Sequence, residues 1–86
     1  MKCTMNVLDR VPEQRMEALA NRIEQIFQVS QETPDIAIVH NSVSFEGTLE
    51  FLEKVIGLLD HYLIRNNLFV EIILTDGDNT FEKLST

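Results

Sequence analysis

The segment Asp35–Gly47 constrains the fold of this chain more than any other. It reads Asp-Ile-Ala-Ile-Val-His-Asn-Ser-Val-Ser-Phe-Glu-Gly and lies between two long segments with helical periodicity. Its two short apolar runs, Ile36–Val39 and Val43–Phe45, predict two strands joined at Asn41–Ser42, because residues with turn propensity separate them. A pair of strands between two helices predicts an α+β protein built from split βαβ units.

Both ends of the chain carry patterns that are typical of strands. Lys2–Leu8 alternates between polar and apolar side chains, which is the period of a strand with one buried face. Leu68–Thr75 is rich in Leu, Phe, Val and Ile and predicts a closing strand. Asp76–Asn79 then predicts a turn, and Phe81–Thr86 predicts one further helical turn or a frayed end. The apolar positions of the first strand are Cys3, Met5 and Val7.

Two helices are predicted between these strands. The first begins at Pro12, since the first helical turn needs no backbone N–H there, and ends before Thr33–Pro34. The second begins at Gly47–Thr48 with Thr48 as its N-cap, and ends at Asn66–Asn67, since asparagine tolerates the left-handed conformation. The apolar side of the first helix consists of Met16, Leu19, Ala20, Ile23, Ile26 and Phe27.

The element order β-α-β-β-α-β predicts a ferredoxin-like, split βαβ sandwich in a single compact α+β domain, residues 1–86. The alternative is a small all-α, death-like bundle in which Pro34–His40 and Leu68–Leu74 are short helices. In Val43–Leu74, the runs Phe-Glu-Gly-Thr, Leu-Leu-Asp-His-Tyr-Leu and Asn-Asn-Leu resemble bacterial effector-associated, death-domain-like adaptor modules. That resemblance implies an all-helical fold and an adaptor function. The alternation in Lys2–Leu8 favours the ferredoxin-like fold.

The charge balance limits the classes of partner. The chain has 14 acidic and 7 basic residues among 86, a formal net charge of −7. Binding to a nucleic-acid backbone or to an anionic membrane depends on Lys and Arg, so both are disfavoured, whereas a basic protein surface is compatible. The single cysteine excludes an intrachain disulfide, and the N-terminus lacks an apolar signal segment. We therefore expect a soluble, cytoplasmic protein.

The residues that carry most catalytic chemistry are few. His40, His61 and Cys3 do not have the spacing of a metal site, and the three glycines do not form a phosphate-binding loop. We therefore predict a protein without enzymatic activity, catalytic residues or cofactor. Asp76 and Asp78 are the only candidates for a cation site, because carboxylates after a strand can supply the oxygen ligands of Mg²⁺ or Ca²⁺. A plain Asp-Gly turn is the alternative interpretation.

The second helix has more apolar surface than one contact with a sheet requires. The side that should meet the sheet consists of Leu49, Leu52, Ile56, Leu59 and Leu63. A second apolar side consists of Phe51, Val55, Leu58 and Tyr62. This second side either packs against the first helix or the C-terminal tail, or, together with an acidic ridge, binds a protein partner. The acidic ridge consists of Glu46, Glu50, Glu53 and Asp60, and is flanked by Lys54, His61 and Arg65.

The predicted sheet has a second face that nothing in the chain is left to cover. If alternate residues of the last strand face the helices, Phe69, Glu71 and Ile73 face away from them. Val39 joins this face, and burial against a second copy removes its apolar side chains from water. We therefore predict a homodimer whose interface contains Val39, Phe69, Glu71 and Ile73. The alternative is a solvated face, because it also carries the polar side chains of Thr4, Asn6, Ser44 and Glu71.

These observations predict a ranking of functions. The first is a small acidic, non-enzymatic protein-binding or regulatory module that forms a homodimer through the open face of its sheet. The second is a phage-type acidic inhibitor, whose ridge blocks the basic nucleic-acid-binding site of a target enzyme by phosphate mimicry. An effector-associated adaptor domain is a further alternative. An enzyme subunit that uses Asp76 and Asp78 with a metal ranks last.

Overall fold

The structure is a computed structural model that describes residues 1–77 and 79–85, with side chains through Gly77. Its helices and strands follow the predicted order, with one additional strand at the end. The elements are β1 (Lys2–Val7), α1 (Glu13–Val29), β2 (Ala37–Val39), β3 (Ser42–Glu46), α2 (Leu49–Arg65), β4 (Val70–Asp76) and β5 (Asn79–Ser85).

The strands form one antiparallel sheet in the order β2-β3-β1-β4-β5. The first four strands have the ferredoxin-like arrangement, with β1 at the centre between β3 and β4. This confirms the predicted α+β class. The all-α alternative is wrong, because Pro34–His40 contains β2 and Leu68–Leu74 contains most of β4. The helical fold implied by the resemblance to death-domain-like adaptors is therefore wrong as well.

The core lies between one face of the sheet and the two helices. Cys3, Met5 and Val7 are buried, which confirms the predicted alternation in β1. The predicted apolar side of α1 is buried except for Ile26, which is half-buried. Phe27 lies at the centre of an aromatic cluster: its ring meets those of Phe45 and Phe51 edge-on, with centroids 5.9 and 4.9 Å away.

Both predicted ends of α2 are confirmed. The Thr48 side-chain oxygen accepts a hydrogen bond from the backbone N–H of Phe51 at 3.2 Å, as an N-cap does. Asn67 has a φ of 53°, in the left-handed region that ends helices. The sequence pattern did not reveal that the Arg15 guanidinium of α1 donates to the carbonyl of Asn66. This contact ties the start of one helix to the end of the other.

The rotation of α2 about its axis differs from the prediction. Leu52, Leu59 and Leu63 are buried as expected and Ile56 is half-buried, but Leu49 is 45 % exposed. Val55, which the prediction placed on the second apolar side, is fully buried instead. The reason is that α2 packs against both the sheet and α1, so its buried arc turns toward α1.

The hairpin between β2 and β3 turns one residue earlier than predicted. Val39 pairs with Ser42, so the loop is His40–Asn41 rather than Asn41–Ser42. Two contacts with the end of β1 hold this register. The backbone N–H of Val7 donates to the Asn41 carbonyl at 2.8 Å, and the Asn41 side chain donates to the Asp9 carbonyl at 2.9 Å. Local turn propensity could not reveal contacts with a segment this distant in sequence.

The C-terminal segment corrects a second expectation. The predicted helical turn is wrong for the described residues of this segment, because residues through Ser85 form β5, which pairs with β4. Asp76 pairs with Asn79, so the predicted turn is a tight hairpin, and Gly77 adopts a φ of 62° that favours glycine. Asp78 and Thr86 lie outside the described residues.

Two glycine-to-alanine changes are expected to act in opposite directions. Gly57 is exposed within α2, and an added Cβ meets nothing within 4 Å, so Gly57→Ala should stabilise the fold by about 0.5–1 kcal/mol. At Gly47 an added Cβ would lie 2.9 Å from Phe51 Cδ2, and Phe51 is held by Phe27. Gly47→Ala should therefore destabilise by about 1–3 kcal/mol. Urea unfolding midpoints of the two variants measure both effects, and shifts in the same direction would contradict this account.

Candidate interaction surfaces

No described element covers the face of the sheet that is turned away from the helices; we call it the open sheet face. The strand registers and the alternating burial of β1, β3 and β4 define it. All four residues predicted for the dimer interface lie on it. Its described members along the strands and their ends are Lys2, Thr4, Asn6, Leu8, Ala37, Val39, Ser42, Ser44, Glu46, Phe69, Glu71, Ile73 and Thr75.

A row of polar side chains crosses the open sheet face near the end where β3 and β4 begin. Asn6 in β1 is directly opposite Ser42 in β3 and Glu71 in β4. The Ser42 hydroxyl donates to the Asn6 side-chain oxygen, and the Asn6 amide donates to Glu71 Oε1 at 3.2 Å. These groups hydrogen-bond to one another. Burial of the row in an interface therefore leaves fewer polar atoms without a hydrogen-bond partner than burial of unpaired groups would.

Large apolar side chains lie beside this polar row. Leu8 and Phe69 are neighbours just past the ends of β1 and β4, where the Leu8 backbone N–H donates to the Phe69 carbonyl at 2.8 Å. They are 58 % and 44 % exposed. Val39 is exposed at the β2 edge, and Ile73 is half-buried in β4. The prediction missed Leu8, although it occupies the next outward position in the alternation of the first strand.

The structure separates the predicted acidic ridge into two parts. Glu46 is the last residue of β3 and lies on the open sheet face, since Phe45 before it is buried. Glu50, Glu53 and Asp60 are exposed on α2. The flanking residues Lys54, His61 and Arg65 are also exposed on α2, so acidic and basic side chains share its solvent side.

The second apolar side of α2 meets α1 for part of its length. Phe51 packs edge-on against Phe27, and the Arg22 guanidinium lies over the Tyr62 ring, 5.8 Å from its centroid. These contacts agree with packing against the first helix, the first of the two interpretations. Leu58 differs, because it is 51 % exposed.

Leu58 lines a groove of about 250 Å³ between the two helices; we call it the helix groove. Its lining is mostly apolar and includes two basic side chains. The residues that line it are Arg22, Gln25, Ile26, Val29, Ser30, Lys54 and Leu58. Sequence patterns did not identify this groove, because it depends on how the two helices are rotated toward each other.

The structure does not bring together the residues considered for chemistry. Cys3 is buried in the core, His40 lies in the β2–β3 loop, and His61 is exposed on α2. Asp76 is exposed at the end of β4, and Asp78 lies outside the described residues, so the cation pair stays a prediction. Within residues 1–77 and the described part of β5, no group of three His, Cys, Asp or Glu residues is placed to hold a metal ion.

The thiol of Cys3 is expected to be inert in the folded protein. Burial raises its pKa from 9.0 to about 12, because the thiolate would lose its solvation in the core. At pH 8 the reactive thiolate is therefore depleted and also inaccessible. Ellman's reagent should modify Cys3 only after unfolding in urea, and rapid modification of the native protein would contradict this placement. The raised pKa also predicts that stability falls as the pH rises from about 9 toward 12.

Comparison of the chain with protein-family models, with curated protein sequences and with solved structures gives no match. In the described part of the chain, neither helix combines the length and the apolar character needed to span a bilayer.

Proposed function

We propose that this chain is a non-enzymatic protein-binding module that acts as a homodimer through the open sheet face. The observation that carries the proposal is the pair Leu8 and Phe69, which are neighbours and exposed on the face opposite the helices. Val39 and Ile73 add apolar surface to the same face. Each large apolar side chain that is fully removed from water contributes about 1.5–3 kcal/mol.

The size and composition of the open sheet face are compatible with a dimer. The five strands, with Leu8 and Phe69 at their ends, contain 30 residues. At about 3.4 Å per residue and about 4.8 Å between strands, they give a footprint of about 500 Å². Two such faces bury about 1,000 Å² in total, which is the lower limit for a specific interface. The bonded row of Ser42, Asn6 and Glu71 lowers the cost of bringing polar groups into this interface.

The oligomeric state tests the proposal. Sedimentation velocity of the full chain over a concentration series should give the mass of a dimer that dissociates on dilution. The dimer should not weaken when NaCl is raised from about 0.05 to 0.5 M, because salt does not screen apolar contacts and does screen the repulsion between two chains of net charge −7. A monomer at every concentration up to about 1 mM, a weak-affinity limit, would overturn the proposal.

The second candidate function is the acidic inhibitor of a nucleic-acid-binding enzyme. It rests on the exposure of Glu50, Glu53 and Asp60 on α2, where Glu53 and Asp60 are two turns apart on one side. Binding to a basic site should weaken steeply with salt and on replacement of Glu50 and Glu53 by lysine. The same changes should leave a dimer through the open sheet face intact, so the two functions are distinguishable.

A further inference from the structure

The helix groove extends along both helices. On α1 it is lined by positions 22, 25, 26 and 29, which share one side of the helix, and on α2 by Lys54 and Leu58, one turn apart. Seven residues of an α-helix extend about 10 Å, so the groove runs for about two turns along α1. An apolar groove between two packed helices is a common binding site for an amphipathic helix.

The apolar surface in the groove is exposed. Val29 is 86 % exposed, the highest value among the large apolar side chains of the described residues, and Leu58 is half exposed. Ile26 lies between them and is half-buried against the core. Apolar side chains on the facing side of a docked helix would contact all three and remove them from water.

The charge of the groove is opposite to that of the whole chain. Its described lining includes the cations Arg22 and Lys54 and no carboxylate, whereas the chain carries a net charge of −7. The two cations are held at its sides: Arg22 lies over the Tyr62 ring, and the Lys54 ammonium donates to the Ser30 hydroxyl at 3.4 Å. A helix that carries carboxylates beside its apolar side is complementary to this arrangement.

We propose that the helix groove binds an acidic amphipathic helix of a partner protein. Apolar side chains of that helix pack on Ile26, Val29 and Leu58, and its carboxylates pair with Arg22 and Lys54. This surface lies on the opposite side of the sheet from the proposed dimer interface. Its occupation therefore does not depend on dimerisation, and the two proposals can fail separately.

The test uses two synthetic amphipathic helices that differ only in charge. Both carry leucine at i, i+3, i+4 and i+7 with a fluorescent label, and the flanking positions are glutamate in one and lysine in the other. Net charge alone predicts that the acidic chain prefers the lysine helix, whereas the groove predicts preference for the glutamate helix, roughly tenfold in Kd. Fluorescence anisotropy measures both affinities. Absence of binding, or preference for the lysine helix, would overturn the proposal.

Matched variants locate the binding. Arg22→Glu and Lys54→Glu should each weaken the glutamate helix by roughly tenfold, while Arg10→Glu, the same charge change on an exposed residue outside the groove, should have a small effect. Leu58→Asp should abolish binding, whereas Ile64→Asp on the same helix should not. All five positions are exposed, so circular dichroism should show an intact fold. If the groove variants and their controls lose affinity equally, the peptide binds elsewhere on the protein and the proposal is overturned.

Discussion

Replacement of Phe27 by alanine is expected to lower the free energy of unfolding by about 3–5 kcal/mol. Phe27 is buried in α1 and contacts the rings of Phe45 in the sheet and Phe51 in α2. Its removal leaves a cavity where α1, α2 and the sheet meet. It also eliminates two edge-to-face aromatic pairs. Small domains have a total stability of about 5–15 kcal/mol, so the variant should lie close to the limit of folding.

Urea unfolding followed by circular dichroism measures this loss, with linear extrapolation to water. Val29→Ala is the control, because Val29 is on the same helix and almost fully exposed, and it should change stability by less than about 0.5 kcal/mol. Dilution to a concentration at which both proteins are monomeric separates core stability from any contribution of a dimer. A loss below about 1 kcal/mol for Phe27→Ala would show that Phe27 does not occupy the centre of the core.

Elements with a strong internal period could be predicted from the sequence. In β1 the alternation of Cys3, Met5 and Val7 with polar residues identified both the strand and its buried face. Both helices were predicted by the 3.6-residue period, and the ends of α2 by local chemistry such as the Thr48 N-cap. These signals are local, so a pattern of a few residues contains them.

Features that depend on distant contacts could not be predicted in the same way. β5 forms because β4 offers it an edge after a tight turn, and its own residues carry no clear alternation. The β2–β3 loop is shifted because Val7 and Asp9 bind Asn41. The exposure of Leu49 follows from the rotation of α2 toward α1. In each case a tertiary contact overrides the local propensity.

The same distinction applies to the two candidate surfaces: a local pattern predicts the open sheet face, whereas the helix groove depends on tertiary packing. The alternation of residues along each strand predicted that Val39, Phe69 and Ile73 lie on the open sheet face, because strand residues two apart share a face. The helix groove combines Val29 from the end of one helix with Leu58 from the middle of the other. Nothing in either helical pattern relates these two positions, and only the packing of α1 on α2 brings them together.

Replacement of Phe69 by aspartate is expected to separate the proposed homodimer into monomers. Removal of a large aromatic side chain that is a hot spot of an interface costs about 2 kcal/mol or more. In a two-fold dimer each change occurs twice, so about 4 kcal/mol is lost and the dissociation constant rises about a thousandfold. The introduced carboxylate adds to this effect, because the dimer would bury it near the carboxylate of Glu71 in its own protomer and that of Glu71 in the second protomer.

Sedimentation velocity at a concentration where the native chain is dimeric measures the effect, and circular dichroism verifies the fold. Phe69 is 44 % exposed, so its replacement should cost the monomer little compared with Phe27→Ala. Ile64→Asp is the matched control, because Ile64 is also a large apolar residue, 54 % exposed, but lies on α2, on the other side of the sheet. Ile73→Asp should reproduce the dissociation, since Ile73 lies on the same face of the sheet, in the strand that follows Phe69. If Phe69→Asp and Ile73→Asp remain dimeric while Ile64→Asp dissociates, the copies associate through their helices, and the open sheet face stays in contact with water.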